Sequence, residues 1–270
     1  MRRRYLTVLA LFVLPAALAA QSASTRGSPT AASIQFLTFA DLFGSRLLAA
    51  FDSIPAAQYG YRPTASEQTV GYIAQHLENA NYDLCEQLGD AKHPRTAKDS
   101  LADTTKARWP KDTLVARLDA SFRFCDAALE RLGPLESPVV VTALLEFETD
   151  LAEHYSQLSV YMRLLGLVPP SALPVKQRAA IELTAAALSP YVGTYQVVPG
   201  LDLVVTLHDN ALYIQSTPGG AVVRLWPESA AAFFTKEVDA QVTFARDSRG
   251  AVTGLVFHRF GRQRNAKKTR

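Results

Sequence analysis

The hydrophobic periodicity of the chain changes once, and this change limits the possible folds more than any other feature. Across residues 34–166, apolar residues recur at three- and four-residue steps, as they do in amphipathic helices. After a proline-containing linker at 167–188, apolar and polar residues alternate across 189–262, as they do in strands. The sequence therefore predicts an α+β protein of two domains, a four-helix bundle followed by a small antiparallel β meander or barrel.

Four helices can be separated by the residues at their ends. The second is predicted to begin after Thr69, because threonine is a favoured cap of helix N-termini. The third begins near Lys111, and the fourth opens at Ser137-Pro138, because proline is favoured in the first helical turn. The connection between the second and third helices is long enough for a crossover.

The N-terminus has the three parts of a secretory signal peptide: a basic start, an apolar run and a group of small residues. The apolar run is too short to form a stable membrane anchor. We therefore expect an exported, periplasmic or extracellular protein that loses residues 1–20 and keeps 21–33 as a flexible leader. Export favours a disulfide between Cys85 and Cys125, although two separate core thiols remain the alternative.

The charge of the chain says what kind of partner to expect. A net charge of +3 is too small and too dispersed to indicate nucleic-acid binding. Apart from the basic start, basic residues concentrate in the last eleven residues, and we predict 263–270 to be a solvated tail. We expect a small molecule as the partner, no nucleic acid and no membrane anchor after signal cleavage. A homodimer is left open.

Asp150 and His154 pose the main functional question, since both lie on or beside the apolar stripe of the fourth predicted helix. Residues four apart share one helix face, so the carboxylate and the imidazole are neighbours. The second helix offers His76 between apolar residues. Two imidazoles and a carboxylate inside a bundle fit a three-ligand site for zinc, nickel or ferrous iron. The alternatives are a surface pair of Asp150 with His154, and a core histidine bonded to a backbone carbonyl.

Two motifs resemble the DinB family. The run HYSQLSVYMRLLGLVPP, which starts at His154, is similar to its fourth-helix signature, and GYIAQHL, which contains His76, is similar to its second-helix motif. The resemblance covers residues 34–171 and implies a four-helix bundle. Proteins of this family hold a metal through one histidine of helix two and two histidines of helix four. The matching positions in this sequence are His76, Asp150 and His154. Asp150 replaces a family histidine, so the resemblance implies either an altered metal preference or a decayed site.

Characterised DinB-like proteins include thiol transferases and metal-dependent isomerases. The resemblance therefore implies an exported protein with a divalent-metal site and metal-dependent hydrolase or transferase activity. The alternative is a non-catalytic periplasmic binding or scaffolding protein whose metal site has decayed. The catalytic residues stay unassigned, because Glu153, Tyr82 and Tyr161 lie near the motifs without a clear role.

Several runs in the second half resemble another known domain. YVGTYQV, LWPES and VTFARD are similar to a small β domain that follows the catalytic domain of some secreted β-lactamase-like serine hydrolases. This resemblance implies an accessory module. From the strand pattern itself, we predict that His208 and His258 are surface residues at strand ends rather than ligands. The chain has no G-x-S-x-G elbow, P-loop, H-E-x-x-H or dinucleotide fingerprint, so those enzyme classes are not indicated.

Overall fold

The computed structural model describes residues 30–89, 91–93, 96–217, 219–259 and 262–270. It has a helical domain followed by a β domain, which confirms the predicted α+β architecture. The helices are α1 (Ala31–Ser53), α2 (Val70–Cys85), α3 (Asp103–Lys106), α4 (Lys111–Leu129), α5 (Pro138–Leu164) and α6 (Ala185–Leu188). The strands are β1 (Gly193–Val198), β2 (Leu201–His208), β3 (Ala211–Thr217), β4 (Val223–Pro227), β5 (Ala232–Phe234), β6 (Ala240–Arg246), β7 (Val252–Arg259) and β8 (Arg262–Lys268).

The bundle consists of α1, α2, α4 and α5, and the three predicted helix starts are all confirmed, since α5 opens at Pro138 after the N-cap Ser137. The Thr69 side chain accepts a hydrogen bond from the Tyr72 N–H at 3.1 Å, and α4 starts at Lys111. By length and composition α1 is the one helix among the described residues that could cross a membrane. Its buried face nevertheless packs into the bundle core through Leu47 and Phe51, so here α1 forms a wall of the bundle.

The predicted leader is partly wrong. The signal peptide at 1–20 lies outside the described residues, but α1 already begins at Ala31, inside the segment 21–33. The reason is a capping box: the Thr30 side chain accepts from the Ser33 N–H, and the Ser33 hydroxyl accepts from the Thr30 N–H. The last residues of the predicted leader, Thr30 to Ser33, here cap and begin a helix.

A disulfide joins two helices of the bundle. Cys85 at the end of α2 is bonded to Cys125 of α4, and both residues are buried in the core. The alternative of two separate core thiols is therefore wrong. The crosslink closes a segment of 40 residues and holds the end of α2 against α4.

The second domain is a closed antiparallel barrel in which β1 to β8 are neighbours in chain order. Alternate residues point inward and form a separate core that includes Tyr195, Leu212, Phe233, Val242, Phe244 and Leu255. The predicted linker contains one helical turn, α6, and the barrel begins at Gly193.

The prediction of a solvated basic tail at 263–270 is wrong. Residues 262–268 form β8, which pairs with β7 and with β1 and so closes the barrel. The run RQRNAKK has a single apolar residue, Ala266, which is buried in the barrel. Backbone pairing with both neighbours stabilises this strand. The hydrophobicity of its side chains therefore does not identify it as a strand.

Two arginines of β8 also bind the bundle. Arg264 donates to Asp126 of α4 at 3.0 Å and to Glu130 at 2.8 Å, and lies 3.4 Å from Asp41 of α1. Arg262 donates to the same Asp126 carboxylate. Burial raises the pKa of Asp126, and the two guanidinium groups offset this only in part. The two domains are therefore joined by a largely buried group of opposite charges.

We expect Asp126→Ala to lower the free energy of unfolding by about 3–5 kcal/mol, because two buried guanidinium groups lose the carboxylate that compensates them. Urea denaturation measures the change without adding salt. Asp119→Ala on the same helix is the control, because its partner Arg123 is exposed and the pair should contribute at most about 1 kcal/mol. Equal losses in the two variants would contradict the proposed importance of Asp126.

Replacing both cysteines, Cys85→Ala with Cys125→Ala, should lower the free energy of unfolding by about 4 kcal/mol, because the unfolded chain regains the entropy of an open loop. Urea denaturation with and without dithiothreitol measures this effect. Reductant should destabilise the wild-type protein and leave the double variant unchanged. A wild-type protein equally stable in both conditions would rule out a structural role for the crosslink.

Candidate metal centre

The structure brings His76, Asp150 and His154 together between α2 and α5. The Nε2 atoms of His76 and His154 lie 3.2 Å and 3.3 Å from the same oxygen, Asp150 Oδ1. The two imidazole rings meet edge to face, with centroids 4.9 Å apart. One potential ligand atom from each residue lies within 4.8 Å of the others. The alternative of an isolated surface pair is wrong, because His76 of α2 reaches the same carboxylate.

The three side chains differ in how much solvent they meet. His154 is the most buried, with 9% of its side chain exposed, whereas 37% of His76 is exposed. The group of three side chains is therefore shielded from solvent at His154 and accessible to solvent at His76. Asp150 lies between them, and its second oxygen, Oδ2, is buried with no hydrogen-bond partner in the described part of the chain.

The electrostatics of the group follow from this burial. Burial raises the pKa of Asp150, but the hydrogen bonds and charges of His154 and His76 outweigh it and bring the pKa to about 2. Burial lowers the pKa of His154, but the hydrogen bonds to Asp150 and Gln157 more than reverse this, so the pKa is raised. A carboxylate anion at Asp150 is thus strongly favoured near neutral pH.

A chain of hydrogen bonds holds His154 at Nδ1, the ring nitrogen that does not face Asp150. Its Nδ1 atom lies 3.0 Å from Gln157 Oε1, and Gln157 Nε2 donates to the Tyr161 hydroxyl at 3.0 Å. The Tyr161 hydroxyl in turn reaches the backbone carbonyl of Gln68, 3.1 Å away. Sequence reasoning missed Gln157 and Gln68 and left Tyr161 without a role. The spacing of three and then four residues from His154 along one helix was the available signal for Gln157 and Tyr161.

The other residues noted near the motifs lie elsewhere. Tyr82 stacks on His93, with ring centroids 4.5 Å apart, and packs against Phe124. Glu153 lines a groove between α1 and α5 together with Glu148. Burial raises the pKa of Glu148 to about 8. Of the three residues left without a role, only Tyr161 takes part in the network around His154.

The helix that carries His76 is held at both ends. At its start, the N–H groups of Val70 and Gly71 donate to the carbonyls of Tyr61 and Tyr59 at 3.1 Å and 2.8 Å. A Cβ atom at Gly71 would lie 2.2 Å from the carbonyl oxygen of Ala107, so the close contact requires glycine. At its end, Cys85 is bonded to α4.

A cavity of about 850 Å³ lies beside this helix start. Its walls include the aromatic residues Tyr59, Tyr72 and Trp109 and the charged residues Glu67 and Arg108. Tyr72 stacks on His76 with the two rings nearly parallel, and the Tyr161 hydroxyl lies 3.3 Å from Glu67. The cavity is therefore one side chain away from the three potential ligands.

The donor set fits a divalent metal ion. Two imidazole nitrogens with one carboxylate suit zinc, nickel or ferrous iron, and a site with three protein ligands keeps positions for water or substrate. The buried and unpartnered Asp150 Oδ2 is the kind of atom that a cation would satisfy.

Comparison with known proteins places both domains. Residues 41–154 match the family model of the DinB superfamily, and residues 177–268 match a domain of unknown function, DUF3471. The first match ends at His154 and contains the three potential ligands. The second begins within the predicted linker and ends with β8, so β8 is part of that domain. No curated protein matches the chain.

We expect Asp150→Asn to lower the pKa of His154 in metal-free protein, because burial then acts without the carboxylate that stabilises the imidazolium. A pH titration followed by imidazole ¹⁵N chemical shifts measures this pKa. Glu153→Gln is the control and should lower it less, because Glu153 acts on His154 through its charge alone. An unchanged pKa in Asp150→Asn would contradict the contact between the two groups.

Proposed function

From a helical domain of the DinB superfamily joined to a DUF3471 barrel, we propose that this chain is an exported protein that holds one divalent metal ion at His76, Asp150 and His154. The observation that carries the proposal is the convergence of both imidazole Nε2 atoms on one carboxylate whose second oxygen is buried and unpartnered.

Gln157 supports the role of His154 as a ligand. Its amide orientation follows from the network, because its nitrogen donates to Tyr161 and its oxygen must then face the imidazole. That oxygen can only accept, so it keeps a proton on His154 Nδ1 and makes Nε2, which faces Asp150, the nitrogen that would coordinate a metal. Metal-binding histidines commonly hold their second nitrogen in this way.

The replacement of a family histidine by Asp150 is compatible with this role. Its low pKa keeps the carboxylate ionised, so a cation does not have to displace a proton from Asp150 at neutral pH. A carboxylate also reduces the net charge of the site with a divalent cation, compared with three neutral imidazoles. We therefore expect the site to accept a metal with an altered preference.

Beyond metal binding, we propose that the protein is a metal-dependent hydrolase or transferase that acts on a small molecule. A bound divalent ion would supply Lewis acidity and lower the pKa of a water or thiol ligand. The open side of the site is that of His76, and Tyr72 connects it to the cavity of about 850 Å³. In this proposal Tyr59, Tyr72 and Trp109 pack against the substrate, and His154 and Asp150 stay fixed by Gln157 and by burial.

Export rests on the N-terminal sequence pattern and on the disulfide. A basic start followed by a short apolar run is typical of secretory signal peptides. A buried crosslink between α2 and α4 is typical of proteins that fold in an oxidising compartment.

A second candidate function is a non-catalytic periplasmic binding or scaffolding protein. One observation favours it: Asp150 Oδ1 already contacts both imidazoles, so the three side chains satisfy most of one another's polar groups without a metal. In this case the triad would be a buried ion pair retained from a metal-binding ancestor.

Metal analysis separates the two functions. The protein is secreted to the periplasm, purified without a His-tag or chelator, and measured by inductively coupled plasma mass spectrometry. We expect about one equivalent of zinc, nickel or iron in the wild-type protein. We expect none in His154→Ala, because the metal would keep only two of its three protein ligands. A wild-type protein without metal, together with an Asp150→His variant that gains it, would favour the decayed site.

Gln157→Leu tests the support of His154 in the same assay. It removes the acceptor of the Nδ1 proton and should weaken metal affinity about 10- to 100-fold, which competition with a chelator measures. Glu153→Gln, at an exposed position of the same helix, should change the affinity less, because Glu153 acts on His154 through its charge alone. No metal in any of these variants or in the wild type would overturn the proposal.

A further inference from the structure

A second, smaller cavity lies at the rim of the barrel. It has a volume of about 300 Å³ and its lining includes Arg178 from the segment before the barrel, Asp239 and Gln241 near the start of β6, His258 and Arg259 of β7, and Arg262 of β8. None of these residues belongs to the candidate metal centre. Three of the six are arginines, and one is an acid.

Several nitrogen atoms of these residues lack partners. Arg178 Nε and His258 Nε2 are buried and have no hydrogen-bond partner among the residues that the structure describes, and the same holds for Arg262 Nη1. A buried polar group without a partner costs about 1–3 kcal/mol, so such groups are rarely gathered in one place. Arg262 Nη1 lies beside Gly44 of α1 and so belongs to the contact with the bundle. Arg178 and His258 share the lining of this cavity, and their two unpartnered nitrogens indicate a bound group that accepts hydrogen bonds.

The nearby acids hold these arginines in place but leave other nitrogens unused. Arg178 donates through Nη1 to Glu228 at 2.9 Å, and its Nη2 lies 3.9 Å from Asp239. Glu228 also accepts from Gln241 at 2.7 Å. These contacts hold the guanidinium group of Arg178 in one position while its Nε has no hydrogen-bond partner among the described residues. A preorganised binding site has donors held in this way.

The charge of the cavity has the sign of an anion site. Burial lowers the pKa of Arg259, and the nearby charge of Arg46 lowers it further, against the opposing effect of Asp41. The prediction that His258 is a surface residue at a strand end needs a correction here, because its ring faces this cavity and its Nε2 is buried.

We propose that this cavity binds a small soluble oxyanion, a phosphate group or its close analogue, through Arg178 and His258. A guanidinium group matches an oxyanion through its parallel N–H donors. The two donors come from separate chain segments, an arrangement that suits a tetrahedral group better than a planar carboxylate. The volume fits a phosphate or a small phosphate ester and excludes a large ligand.

Isothermal titration calorimetry of the full secreted chain with inorganic phosphate, at constant sodium chloride, tests the site. We expect one phosphate per chain, and Arg178→Gln and His258→Ala should each weaken binding at least about tenfold, since each removes a hydrogen bond to a charged group. Arg249→Gln is the matched control: it removes the same charge from an exposed turn of the same barrel and should leave binding unchanged. Circular dichroism of each variant checks that it is folded.

Other ligands decide the chemistry of the site. Sulfate should compete with phosphate and acetate should not; acetate that binds as well as phosphate would overturn the tetrahedral assignment. Glycerol phosphate that binds at least as well as phosphate supports a soluble ester. Binding only to phosphatidylcholine vesicles that contain phosphatidic acid would overturn the soluble ligand in favour of a lipid headgroup.

The same assay keeps this site separate from the metal centre. His154→Ala should bind phosphate as the wild type does, because His154 lies in the bundle. Phosphate binding lost only in His154→Ala would assign the anion to a metal ion and overturn the proposal. Absence of phosphate binding in the wild type, or an equal loss in Arg249→Gln, would also overturn it.

Discussion

The backbone of β8 hydrogen-bonds to β1 and β7, while its arginine side chains reach Asp126 in the bundle. One strand thus completes the barrel and attaches it to the helices. Without β8, the barrel would have two unpaired edges and α4 would present a buried carboxylate with no compensating charge. The two domains are therefore parts of one electrostatic unit, although each has its own hydrophobic core.

The candidate metal centre shows how a bundle can bury polar groups at low cost. Three side chains share a few hydrogen bonds, and the most buried one, His154, is completed by Gln157 and Tyr161. Among the described residues, the atom of the triad that stays without a hydrogen-bond partner is Asp150 Oδ2. The same arrangement of side chains can therefore stabilise the bundle and bind a metal. For this reason the triad is compatible with both the metal-dependent enzyme and the non-catalytic binding protein.

Patterns of hydrophobicity were sufficient to predict the two domains, because both cores are built from periodic apolar residues. The triad could also be predicted, since Asp150 and His154 lie one helical turn apart and a motif placed His76 opposite them. The role of β8 could not be predicted, because its stability comes from pairing with strands distant in sequence. The partners of Tyr161 depend on how the loop before α2 folds back, which local spacing does not show.

The attachment of α2 at both ends has a thermodynamic consequence. Two backbone hydrogen bonds hold its first turn, and a covalent bond holds its last residue. The position of His76 is therefore set when the protein folds, and the entropy lost in setting it is a cost of folding. A ligand that arrives later meets a site already in its bound geometry, so little of its binding free energy is spent on ordering the protein.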